Sequence, residues 1–517
     1  MLPTGFDWQQ LWLEAKREKL ALLAVGAVTL LAKGPAALPG YGIDDYRPSA
    51  DGPAELLGGL FQQGRIGHWL FLKTSLLLQM EPNEARVLYV ALAVAAYSTL
   101  GLAVVRFWRV RDLGWLAVGA AMLIANHPYT CEIFTYRWGF PPAALVMALL
   151  SFLLWLAVLP RFHLAAGAVV FAFALSCYQI ALHFGLMIVL TGFAMVLGAR
   201  LVTVAAPSST GPAPTSDSIA PRTVRLLGFV VAGTLLYLAI GLLLRQRIGV
   251  SAEYFQTISL PDLPARALAA WREIVGMYVA PNVLIPRLIN YLFMTLVGIL
   301  VLALGWKVVR SRQPLLATGL AAGIVILLGI ALFWTAGLFL VLKDLWLTPR
   351  SMAHVGVLWA ACVVLLARVA SSPHLRRVVG AAIVVILVTF VAAHHRMFED
   401  QRQLNFQDLQ KASRIVARLE ALPGFDQIRR VVFVGRPYTY PKGAEQTLWK
   451  DLNMSAFGAW WAQAPILREV SGYPLQLSTD PGEVAAGAEY CAQAKPWPAA
   501  ESVAARGELA IVCLALP

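Results

Sequence analysis

Long apolar runs alternate along the chain with short polar stretches, and most of the runs are apolar all round rather than on one stripe. About 20 such residues, rising 1.5 Å each, cross the roughly 30 Å of a bilayer's hydrocarbon core. The runs fall at 20–38, 85–108, 113–125, 142–159, 164–177, 180–199, 224–244, 288–306, 315–341, 351–367 and 378–393. They predict an α-helical polytopic membrane protein with about eleven transmembrane helices, the third and fifth being the shortest. Lys16, Arg17 and Lys19 precede the first run, and short basic loops recur at Arg106/Arg109/Arg111, Arg161, Lys307/Arg310/Arg312 and Arg368/Arg376/Arg377. Basic residues stay on the cytoplasmic side of short loops, which predicts a cytoplasmic N-terminus and a C-terminus outside. No small-residue cleavage signature follows the first run, so it reads as an uncleaved helix.

Three stretches between the runs stand apart. Residues 41–84 form a first external loop too polar to span, with interfacial helices anchored by Trp69 and Phe71. Residues 200–223, rich in Pro, Ser and Thr, read as a flexible cytoplasmic linker. Residues 245–287 form a second external loop with Tyr254, Trp271 and Tyr278 at the interface. The transmembrane part thus occupies 1–395, and the pattern changes after it. Residues 400–421 carry Leu404, Leu409, Ile415, Val416 and Leu419 on one helical side, while 430–435 and the final ELAIVCLAL read as strands. Residues 396–517 are long enough for a small extracytoplasmic α/β domain. Cys491 and Cys513 both fall in it, and an external domain lies in a compartment that permits a disulfide; two buried thiols are the alternative.

Composition agrees with the pattern: of 517 residues, 59% are apolar and only 14% charged, which no ordinary soluble domain shows. The net charge of +13 would suggest nucleic acid in a soluble chain. Here it follows from basic cytoplasmic loops and any sites for phosphate, and no basic patch interleaved with aromatics argues for DNA or RNA. No phosphate-binding glycine loop, nucleophile elbow or HExxH appears in a usable setting, which weakens ATP-driven transport and zinc protease readings.

The chemistry gathers in the loops assigned to the outer face. Asp44 and Asp45 follow the first run directly, with Tyr46 and Arg47 behind them and Gly64-Arg65, His68 and Trp69 further on. Paired carboxylates at the mouth of a membrane helix cost free energy unless water, a cation or a substrate meets them. Crowding raises the pKa of one of two neighbouring acids, and a carboxylate near a hydroxyl serves as a general base. Further clusters are His127/Glu132/Tyr136/Arg137, Tyr178/Gln179/His183 and Lys343/Asp344/Arg350/His354. Each has a structural reading as well. Asp-Asp ends a helix, Arg137 and Arg350 reach to headgroups, and the histidines pack. Carboxylates facing several guanidinium groups at one interface suit a reaction on a lipid phosphate, which arginine binds through two parallel hydrogen bonds.

The Asp44-Asp45-Tyr46 run with Gly64-Arg65, the loop holding Glu132, Tyr136-Arg137 and Pro141, the Tyr178-Gln179 hairpin and the tail's FVGRPY resemble the serotype-converting O-antigen glucosyltransferases of the Gtr type. One departure is that Trp138-Gly139 follow the Tyr-Arg pair where that family leads one to expect an acid. The resemblance implies a GT-C-like glycosyltransferase that takes a sugar, glucose by expectation, from a polyprenyl-phosphate donor. It would pass the sugar to a glycan such as lipid-linked O-antigen, with inversion, on the periplasmic face of a bacterial inner membrane. It also implies a donor-synthesising enzyme and a flippase as functional partners, and no nucleotide site. Asp44 or Asp45 is then the base, with Asp45 favoured as the deeper of the two. Arg47, Arg65, His68, Tyr136, Arg137, Gln179 and Arg350 are the candidates for donor phosphate and sugar. No spacing demands a metal, and a divalent cation at Asp44/Asp45 is left open. The rival readings are a transporter or flippase of lipid-linked glycans, which is disfavoured by the lack of an internal repeat, and a scaffold or receptor acting through its tail, which leaves the aspartates without a role.

Overall fold

The computed structural model describes residues 8–38, 40–46, 56–80, 85–159, 163–205, 216–248, 257–370, 372–437 and 447–514. Arg47 lies outside them, as does 206–215 in the expected linker. Among the described residues nine helices are long and apolar enough to cross a membrane, and one small sheet is present. The architecture is helical and polytopic. The expected count of eleven spans is corrected by length. The third and fifth are the helices Trp115–Asn126 and Leu164–Cys177, of 12 and 14 residues, or about 18 and 21 Å at 1.5 Å per residue. Neither reaches across the hydrocarbon core by itself.

The chain divides into two compact units. The first takes Met1–Pro35, Gln62–Cys131 and Phe140–His394. At its centre lies the helix Val355–Val369, in a segment whose residues are 94% buried, whereas only 22% are buried in the more apolar Pro314–Leu340. Trp359 on the central helix stacks flat on Phe293, with ring centroids 3.9 Å apart, and meets Phe390 at 5.5 Å. The outer helices leave Leu235, Leu242, Leu302 and Leu315 exposed, as helices solvated by lipid rather than water should. The expected second external loop contains the helix Leu263–Val279, which buries Ala270, Ile274 and Met277 and leaves Leu268 and Trp271 exposed.

The second unit takes Ala36–Phe61, Glu132–Gly139 and His395–Pro517. Its tail portion therefore folds with two short segments drawn from loops between apolar runs. The sheet has the order β2-β1-β4-β3, with β1 (Arg430–Val434) parallel to β2 (Gln476–Leu477) and β4 (Leu509–Cys513), and β3 (Val503–Arg506) antiparallel to β4. Side chains alternate across a strand. On one face Val431 and Val512 join Ile415, Leu419, Ile466 and Leu467; on the other Val432, Ile511 and Cys513 pack against Tyr490 and Cys491. Cys491 and Cys513 are disulfide-bonded, and Cys131, Cys177 and Cys362 are buried and outside that bond.

The pattern predicts a helix over 400–421 separate from the last span, with that span ending at His394-His395-Arg396. Instead the helix runs unbroken from Pro373 to Glu420. No glycine or proline interrupts 381–422, so nothing in the backbone stops it.

Candidate functional site

Asp44 and Asp45 sit in a single helical turn, Ile43–Tyr46, of the second unit. The turn closes through the Asp45 amide donating to Gly42 O at 3.1 Å. The Asp45 carboxylate accepts from the Gly42 amide (2.9 Å) and from the Trp138 amide (3.4 Å). Asp45 is 8% exposed and Asp44 half-exposed. Burial pushes the Asp45 carboxyl up to about 6, against the opposing pull of the Arg137 guanidinium and of the backbone N–H groups of Arg137, Gly42 and Trp138. A charge taken from water is disfavoured unless partners replace the water, and here the partners only partly do so.

Three chain segments meet at this turn. Asn405 grips Tyr41 with both ends of its amide, accepting from Tyr41 N at 2.9 Å and donating to Tyr41 O at 3.0 Å. Gln401 donates to Thr135 O (3.2 Å), and the Trp461 indole N–H donates to Ile43 O (3.2 Å). Gly42 is required by close approach, since a Cβ there would come within 2.8 Å of the Tyr136 ring. Arg137 donates through Nε to Gly40 O at 2.9 Å and lays its guanidinium over the Tyr41 ring, 4.8 Å from the centroid. Tyr41 and Tyr46 meet edge to face at 5.1 Å. Burial also pushes the Glu469 carboxyl up, opposed by Arg137. Of the residues expected to act together, Asp44, Asp45, Tyr136 and Arg137 thus share one site.

The other expected residues that the structure describes belong to the first unit. Arg65 lays its guanidinium over the Tyr178 ring at 5.6 Å, and Gln179 donates to the Tyr237 hydroxyl at 3.5 Å. His68 is buried in the neighbouring helix Ile66–Leu77. Arg350 is half-buried in the single turn Pro349–Met352. Beside Arg350, His183 uses both ring nitrogens. Nε2 accepts from Leu338 N at 3.0 Å, so Nδ1 carries the proton and donates to Ser351 O at 2.9 Å. Gly337 (φ +53°) lets the chain pass that ring, because a Cβ would come within 2.5 Å of it. His354 donates through Nε2 to Trp334 O at 3.0 Å, and His127 packs edge-on against Tyr129, Trp359 and Phe390. These histidines knit the helices together.

Two features went unread in the sequence. Lys33, fully buried, donates to Thr130 Oγ1 at 2.7 Å and meets His394 Nε2 at 3.0 Å. Its signal was present, since a lone lysine in an apolar run points to a partner inside the protein. The other is Trp461 at Ile43, which no local pattern announces. Among the described residues no group of three His, Cys, Asp or Glu side chains is placed to hold a metal ion. In comparisons with known families and proteins, no family model and no curated protein matches the chain.

Proposed function

We propose that the protein is a GT-C-like glycosyltransferase of a bacterial inner membrane. It moves a sugar from a polyprenyl-phosphate carrier to a hydroxyl of a surface glycan such as lipid-linked O-antigen. The observation that carries the reading is the Ile43–Tyr46 turn. It holds a half-exposed carboxylate, Asp44, beside a buried one that is fastened to the backbone and feels the charge of Arg137.

The roles follow from exposure and from what holds Asp45: Asp44 is half-exposed, Asp45 buried. Both Asp45 oxygens accept backbone N–H groups, which suits Asp45 to fixing the turn and makes Asp44 the better base. This reverses the preference for Asp45 drawn from its depth alone. In the proposed step Asp44 takes the proton of the acceptor hydroxyl as its oxygen attacks the anomeric carbon. The bond from that carbon to the phosphate oxygen breaks, and the carrier leaves as polyprenyl phosphate with its electron pair. Attack opposite the leaving group inverts the anomeric centre. Arg137, braced on Gly40 O and the Tyr41 ring, keeps guanidinium N–H groups for the departing phosphate. In the first unit Arg65, Tyr178, Gln179 and Tyr237 make a second polar cluster suited to a lipid headgroup. The Cys491–Cys513 bond supports placing the second unit in an oxidising compartment.

Transfer of radiolabelled sugar from a short-chain polyprenyl-phosphate donor to a glycan acceptor tests the reading, with purified wild type beside Asp44→Asn. Transfer by wild type that collapses in the variant is the expected result. Full transfer by Asp44→Asn removes the base. No transfer by wild type with a panel of donors moves the reading to a flippase, which lipid scrambling in vesicles would detect.

A further inference from the structure

We infer that the Ile43–Tyr46 turn carries a subsite for a neutral sugar ring, with the exposed Trp460 indole as a stacking face and the Trp138 indole N–H as a hydrogen-bond donor to a ring hydroxyl.

Two independent observations meet at the turn. The Trp138 amide donates to Asp45 Oδ1, which fixes the residue there. Its indole N–H is buried and has no hydrogen-bond acceptor among the described residues. A buried donor in that state carries an uncompensated desolvation cost until an acceptor arrives. On the other flank, Trp461 donates its own indole N–H to Ile43 O, and Trp460 stands edge-on to it, with centroids 5.7 Å apart and planes at 87°. Trp461 is thereby pinned at the turn, while Trp460, at the start of the helix Trp460–Ser471, stays 49% exposed. A rigid indole offers a large apolar face at little entropic cost, and the C–H face of a pyranose fits such a surface.

Carboxyl groups crowd the turn: Asp44 and Asp45 lie in it, and Glu469 feels the Arg137 charge beside it. The same carboxyl groups accept hydrogen bonds from hydroxyls, so stacking on Trp460 and polar contacts at the turn would together orient a sugar. This inference rests on the transfer reading only for taking that sugar to be the acceptor's; binding is testable without transfer.

The experiment is isothermal titration of the detergent-solubilised full chain with short neutral oligosaccharides of gluco, galacto, manno and rhamno configuration, and with inorganic phosphate. Wild type should bind at least one oligosaccharide saturably. Affinity for it should fall about tenfold in Trp460→Ala and in Trp138→Phe, and stay within about threefold in Trp460→Tyr, which keeps a stacking face. Phosphate titrations should be unchanged by these variants, and thermal unfolding confirms that each is folded. Absence of saturable sugar binding by wild type overturns the inference, as do Trp460→Ala and Trp138→Phe binding like wild type, or the variants weakening phosphate instead of sugar. A spin label at Trp460→Cys should meet a water-soluble nickel chelate. A label that meets oxygen dissolved in lipid makes Trp460 a membrane anchor and sinks the subsite. Asp44→Asn separates the two readings: full transfer there refutes the base yet leaves sugar binding standing, and lost transfer with sugar binding kept supports both.

Discussion

Two polar knots, one in each unit, differ in how fully their groups are satisfied. Around His183 both ring nitrogens are committed, one to Ser351 O and one to Leu338 N, and the backbone is bent at Gly337 to admit the ring. Around Asp45 the carboxylate is held by two amides, yet burial still pushes it up to about 6, and the indole N–H of Trp138, whose amide is one of the two, is buried with no acceptor among the described residues. A fully satisfied network rigidifies, whereas a partly satisfied one spends stability on something other than packing. The first knot is architecture; the second is where chemistry should be sought.

Substitutions can break that contrast, and the largest effect should come from Asp44→Asn. Loss of a general base lowers the transfer rate by about 10²- to 10⁴-fold with the unfolding temperature kept, read by the radiolabel assay. His183→Leu should do the opposite. It strips two part-buried backbone groups of their partner and should lower stability by about 2–4 kcal/mol, measured by thermal unfolding in detergent, while transfer per folded molecule holds. A pH series sharpens the point for Asp45. Its folded carboxyl lies at about 6 against the ordinary 3.8, so the stability it lends is complete below pH 4 and is lost as pH rises through 6. The stability of wild type relative to Asp45→Asn should therefore fall by at most about 3 kcal/mol from pH 4 to 7. Gly42→Ala should be mildest, at about 1–3 kcal/mol, as its new Cβ meets the Tyr136 ring; a chemical denaturation midpoint would read it.

Much of the helical frame was legible because an apolar run long enough to cross lipid would be too costly to leave in water. Burial order within the frame was not. The segment Pro314–Leu340 is more apolar than Pro349–Val369 yet far less buried, since lipid and protein interior are equally good homes for leucine. The long helix Pro373–Glu420 could have been read from the lack of glycine and proline over 381–422. The drop in hydrophobicity near His395 masked it, because a change of surroundings resembles a change of element. Within the site, Asp44, Asp45 and Arg137 announce themselves as charges next to apolar runs. Trp138, Trp460 and Trp461 do not, for an indole's role depends on what chain folding brings beside it.

The two hydrogen bonds between Tyr41 and Asn405 join residues 364 positions apart, and the one from Trp461 to Ile43 spans 418. A ribosome making about 5–20 residues per second therefore needs on the order of half a minute after Ile43 emerges before Trp461 exists to meet it. The aspartate turn is written early and completed last. A translation product interrupted before Trp461 can insert its apolar segments but lacks the residue that closes over that turn.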